Sequence, residues 1–121
     1  MSITNLEKAT RKQLERSLSK QLQELYLKRL DHKTGEISCQ LMNSNLTMIV
    51  EGSLTQPEQL LLEIRDQPDL IAQVRSRLND MMRSEVIDLI EKTLSCKVID
   101  FMSNTTLETS RTGAIVVLSD K

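Results

Sequence analysis

Aromatic residues are nearly missing from this chain: Tyr26 and Phe101 stand alone, and there is no tryptophan. The core must therefore be built from Leu, Ile, Val and six Met, which pack adaptably, and no aromatic platform exists on which nucleic-acid bases could stack. Glycine is almost as scarce. Gly35, Gly52 and Gly113 are each isolated, so no Gly-rich loop is available to cradle a phosphate. The single histidine, His32, lies in a charged turn and reads as solvated surface; no spacing to Asp31, Glu36 or Cys39 matches a metal-ligand pattern. Two cysteines, Cys39 and Cys96, sit far apart in strand-like segments. With no basic stub leading into an apolar leader, they read as buried thiols of a reducing, cytoplasmic protein and not as a disulfide. No apolar run approaches the ~20 residues that cross a bilayer.

What remains is an ordinary globular composition: 121 residues, 39% hydrophobic and 27% charged. That length supports one core, so residues 1–121 are expected to form a single domain. Thr4 and Glu7 have the spacing of a capping box, and Leu14, Leu18, Leu22 and Leu25 recur at helical spacing, predicting a first helix that ends near Asp31. Ile37, Cys39 and Leu41 alternate with Glu36, Ser38 and Gln40 as a half-buried strand. Asn43-Ser44-Asn45 then supplies a hairpin turn into a strand over Leu46–Val50. Thr55, Pro57 and Glu58 start a short helix running to about Arg65. A long helix begins at Asp69, and the period returns to two around Val98–Phe101 and again over Ile115–Leu118, with a polar connection expected from Asn104 to Gly113. The order α-β-β-α-α-β-β predicts a two-layer α+β domain, a mostly antiparallel four-stranded sheet covered by helices.

The long helix carries eleven apolar positions between Leu70 and Leu94. That stripe is wider than one sheet requires, which predicts a two-fold homodimer through Leu78, Met82, Val86 and Leu89. Asp80, Glu85, Asp88 and Glu91 fall on its polar side near Arg77, Arg83 and Lys92, a solvated face of weak ion pairs. Scattered carboxylates of this kind do not form a tuned acid/base site, and the chain is expected to be no enzyme and to need no cofactor.

Charge is segregated. Residues 1–33 carry eight Lys/Arg against four Asp/Glu, while the remainder is acidic and the net charge is −1. Lys8, Lys12, Arg16 and Lys20 recur every four residues as a basic ridge on the first helix, away from its leucine stripe. An acidic protein partner and the headgroups of an anionic membrane fit this ridge equally well, and a merely solvated face is the commonest case for such a row; the contact expected here is an acidic surface of a membrane-associated partner. Nucleic acid is the alternative, opposed by the lack of aromatics and a pI of about 5.9.

The stretch Gly52-Ser53-Leu54-Thr55-Gln56-Pro57-Glu58-Gln59-Leu60-Leu61, with Val74-Arg75, Leu78 and the closing Thr112-Gly113-Ala114-Ile115-Val116-Val117-Leu118, resembles the MpsC family. These are small proteins associated with sodium-translocating, membrane-potential-generating systems. The resemblance covers most of the chain and brings no catalytic residues. It implies a soluble cytoplasmic accessory or regulatory protein acting with a membrane-associated ion-translocating partner, linked in some bacteria to inorganic-carbon supply.

Overall fold

The computed structural model describes Ile3 and residues 6–64 and 68–120. Its elements are α1 (Lys8–Leu30), β1 (Ile37–Met42), β2 (Asn45–Val50), α2 (Gln56–Leu61), α3 (Pro68–Leu94), β3 (Lys97–Thr106) and β4 (Arg111–Ser119). This is the expected α+β order. The four strands form one antiparallel sheet in the order β1-β2-β4-β3. Two α-hairpin units, α1-β1-β2 and α3-β3-β4, are thus joined through their inner strands, with α2 between them in sequence.

The covered face follows from period-two alternation. Ile37, Cys39 and Leu41, then Leu46, Met48 and Val50, then Ala114, Val116 and Leu118 point into the core with Phe101. Onto them α1 lays Leu18, Leu22 and Tyr26, and α3 lays Met82, Val86, Ile90 and Leu94. Each set advances by four residues, which keeps it on one helix face. In α1 the buried line runs through Tyr26, and Leu14 and Leu25 flank it half-buried.

Several features differ from the sequence reading, among them the end of α2, which falls at Leu61 where about Arg65, outside the described residues, was expected. The described part of α1 begins at Lys8, with Glu7 as its N-cap residue and no side-chain cap; the Thr4 half of the expected capping box lies outside the described residues. β3 and β4 extend through the segment expected as a polar connection, pairing Asn104, Thr105 and Thr106 with Gly113, Thr112 and Arg111. Threonine favours strands, and two of these residues, Thr105 and Thr112, are polar because they carry a buried hydrogen-bond network. His32 is half-buried, its Nε2 2.7 Å from the Gly52 carbonyl oxygen, so it fastens the α1–β1 turn and is no free surface group. Gly52 has φ +58°, and a Cβ there would lie 3.2 Å from the Gly35 nitrogen, a conformation and an approach that favour glycine.

The surplus apolar stripe of α3 has an internal explanation. Besides the sheet, α3 packs against α1 and α2. Met82 and Val86 are only 4% and 8% exposed and belong to the chain's own core. They are therefore not presented to a second copy, and Leu78 and Leu89 are half-buried beside them. Exposed apolar side chains gather instead on the uncovered sheet face, where Met42, Ile49, Met102 and Ile115 lie in the outward register.

Candidate functional site

Two polar assemblies stand out, one buried and one open. The buried one starts at Glu58, whose carboxylate accepts from the Thr55 backbone N–H (3.0 Å) and hydroxyl (2.9 Å) at the start of α2. Its second partner is Arg75 of α3. Arg75 Nε donates to Glu58 Oε2 at 2.8 Å and Nη2 to Oε1, while the same Nη2 donates to the Ser53 carbonyl at 2.8 Å and Nη1 to Asn79 Oδ1 at 3.3 Å. Arg75 is 3% exposed and Glu58 1%. From Asn79 the network continues through Thr105 (3.0 Å), Thr112 (2.7 Å) and Ser53 Oγ (2.8 Å), whose hydroxyl donates to the Ser110 carbonyl at 3.4 Å. Ser110, held at φ +57°, also receives the Ser53 and Leu54 amides on its carbonyl and hydroxyl.

Charges out of water persist only when paired and hydrogen-bonded, and in this pair every charged nitrogen and oxygen has a partner. Tyr26 abuts the network: burial pushes its phenol above the usual tyrosine value, with Arg75 and a hydrogen bond to Thr112 pulling the other way. The assembly locks the Gly52–Thr55 loop, α2, α3 and the β3–β4 turn together. Both Glu58 oxygens and all three Arg75 nitrogens have partners within it. The nearby apolar cavity between α1, α3 and the sheet has a volume of about 40 Å³, room for roughly one water.

The open assembly is a groove of about 560 Å³ between α1 and the outer edge of β1. Lys12, Arg16 and Lys20 line it on the helix side and Ile37–Gln40 on the strand side, with Glu15 and Glu36 as its acids. Lys8 is exposed one turn before it. None of the four ridge cations forms an ion pair among the described residues. Glu15 is committed: its Oε2 accepts the Leu41 amide at 2.7 Å. Cys39 beneath the groove is a buried free thiol, pushed up by burial and by Glu15, with the Ser19 hydroxyl beside it pulling down. Cys96, directly before β3, is likewise free and buried, and β2 and β4 lie between β1 and β3, a separation of ~14 Å that a disulfide cannot bridge.

The acids of α3 do not form the expected laced face. Glu85 pairs with Arg29 of α1 at 2.9 Å and Glu91 accepts the Val98 amide at 2.9 Å, while Arg83 lies over the Phe101 ring at 5.4 Å. Among the described residues no three His, Cys, Asp or Glu side chains converge as a metal site, and no helix is long and apolar enough to cross a membrane. Sequence reasoning passed over Glu58 and Arg75 as a pair. The available signal was that Arg75 falls in line with Ile71, Met82 and Val86, so a charge sits on the buried stripe.

A family model described as the Na⁺-translocating membrane potential-generating system (MpsC) matches residues 10–120. No curated protein and no solved structure matches the chain.

Proposed function

The chain belongs to the MpsC family, and from that premise we propose that it is a non-catalytic cytoplasmic accessory subunit that docks on an acidic surface of another protein of a Na⁺-translocating, membrane-potential-generating system. The observation that carries this reading is the row Lys12, Arg16 and Lys20 along an open groove at a sheet edge, with no ion-pair partner for any of them among the described residues. Like charges one turn apart repel, and the helix gains nothing from them in packing, since Leu18, Leu22 and Tyr26 secure the other face. An acidic partner surface turns that repulsion into attraction, acting mainly through association rate and salt sensitivity. In this reading the ion path belongs to the partner.

The test is capture of partners by the tagged chain in its native cells. Lys12→Glu with Arg16→Glu should lower capture several-fold, more at low salt than at high salt, where screening already weakens the contact. Stability should stay within about 0.5 kcal/mol of the parent. Undiminished capture at low ionic strength would return the ridge to an ordinary solvated face.

Self-association completes the proposal, with a second copy covering the open sheet face around Ile115. Ile115 is 52% exposed between Thr47 and Met102 in register, with Val117 and Ile49 nearby, and a contiguous apolar patch of several hundred Å² is rarely left bare. Ile115→Lys should give folded monomers in light scattering where the parent is dimeric. A parent that is monomeric at high concentration removes this part of the reading.

A further inference from the structure

We propose that the β1 edge takes up an extended acidic segment of the partner as a fifth strand, with alternate acidic side chains of that segment meeting Lys12, Arg16 and Lys20; the inference rests on the docking role of the groove and specifies its ligand. β1 is one of the sheet's two edge strands. The other, β3, is broken by a bulge between Val98 and Asp100, and Glu91 occupies its Val98 amide; such features blunt an edge against pairing. β1 has no bulge over its six residues.

The direction of its backbone groups is set by two bonds. Leu41 N–H points outward, to Glu15, and the Glu36 carbonyl points inward, accepting from Glu51 N–H at 3.0 Å. Alternation then turns the N–H and C=O of Ile37 and Cys39 outward and those of Ser38 and Gln40 toward β2. Side chains of α1 close the two ends of this edge: Gln23 Nε2 donates to the Gly35 carbonyl at 3.2 Å, and Glu15 holds Leu41. Between these caps, Ile37 and Cys39 offer two donors and two acceptors, the complement of a short strand.

The helix beside that window supplies a matching ruler. Glu15 faces Leu41 and Gln23 faces Gly35, so α1 runs antiparallel to β1. Ridge residues four apart are separated by ~6 Å along the helix, and alternate residues of an extended strand by ~6.7 Å. Three cations at that pitch meet three alternate side chains of one strand. Main-chain bonds to Ile37 and Cys39 give the affinity and the ridge selects acidic residues at every second position, the usual division of labour in strand addition.

The probe is an acetylated, amidated hexapeptide of alternating glutamate and threonine, added at millimolar concentration to the full, isotope-labelled chain at low salt. Amide exchange at Ile37 and Cys39 should slow at least tenfold, with Ser38 and Gln40 little changed. Two versions N-methylated at alternate residues, one in each phase, keep the charge but block opposite edges, so only the version blocked on the edge that faces β1 should lose this protection. Lys12→Glu with Arg16→Glu should weaken binding of the parent peptide several-fold. Absence of protection at Ile37 and Cys39, or equal binding by both N-methylated peptides, overturns strand addition. If partner capture is still lost in the charge-reversed chain, the groove remains a docking site that works by charge alone; if capture is unaffected, the docking reading itself has failed.

Discussion

Two arginine–glutamate pairs brace the same stretch of chain, one on each side of Gly52. Arg111 Nε meets both Glu51 oxygens at 2.6 and 2.8 Å, with side chains 55% and 39% exposed. Arg75 meets Glu58 with two nitrogens, one on each oxygen, with side chains 3% and 2% exposed and further bonds to Ser53 and Asn79. The chemistry is the same and the environment is not. Water and salt compete for the outer pair, so it contributes ~0–1 kcal/mol. The inner pair has no water to fall back on, and its members depend on each other more than the fold depends on the pair.

The largest expected effect separates those two statements. Glu58→Ala leaves a buried guanidinium unpaired and should destabilise the chain by about 3–5 kcal/mol in urea unfolding, whereas Glu58→Leu with Arg75→Met should recover most of that loss. A single variant costing under 1 kcal/mol would erase the contrast with Arg111. Thr112→Val comes next, at about 1–3 kcal/mol, because it strips a hydroxyl that links Thr105 and Ser53 in the buried network; Thr112→Ser should restore most of it. Alkaline pH probes the same region through Tyr26, the only tyrosine. Its native pKa is raised above 10.0, so its contribution is complete below pH 10, and stability falls above it as the unfolded chain ionises first. Absorbance of the phenolate should accordingly lag behind a free tyrosine until unfolding. Arg111→Ala should be the smallest, within about 1 kcal/mol and shrinking with added salt.

How much could be read beforehand depends on how local the cause was. The alternation of Ile37, Cys39 and Leu41 is written in adjacent residues, and so was the whole β1–β2 hairpin. The helical stripe of α1 was legible apart from its centre, which uses Tyr26 where Leu25 was expected, because a four-residue advance from Leu22 tracks the buried line. Thr105 and Thr106 looked like loop because polarity suggested solvent, yet the Thr105 hydroxyl serves a network that forms only when α2, α3 and the β3–β4 turn meet, while that of Thr106 bonds within the turn. Glu58 and Arg75 are separated by 17 residues, and although Arg75 falls on the buried stripe of α3, nothing local names Glu58 as its partner. The width of the α3 stripe was plain, but it served α1 and α2 as well as the sheet. The basic ridge was legible as a face; that it borders β1 depends on packing.

The central position of the β2–β4 pairing bears on how the chain assembles. Each half has its own hairpin and its own long helix, so most strand contacts within a half join near neighbours in sequence and close on the microsecond scale. Asn45 and Val117, by contrast, are about 70 residues apart, and the entropy of that closure must be met before any inner-strand bond is gained. Neither hairpin alone has the strands for independent stability. The two halves are therefore marginal until they meet, and the rate at which the molecule acquires its structure is set by their encounter, a late, long-range step that leaves the inner edges of β2 and β4 exposed to wrong partners while it waits.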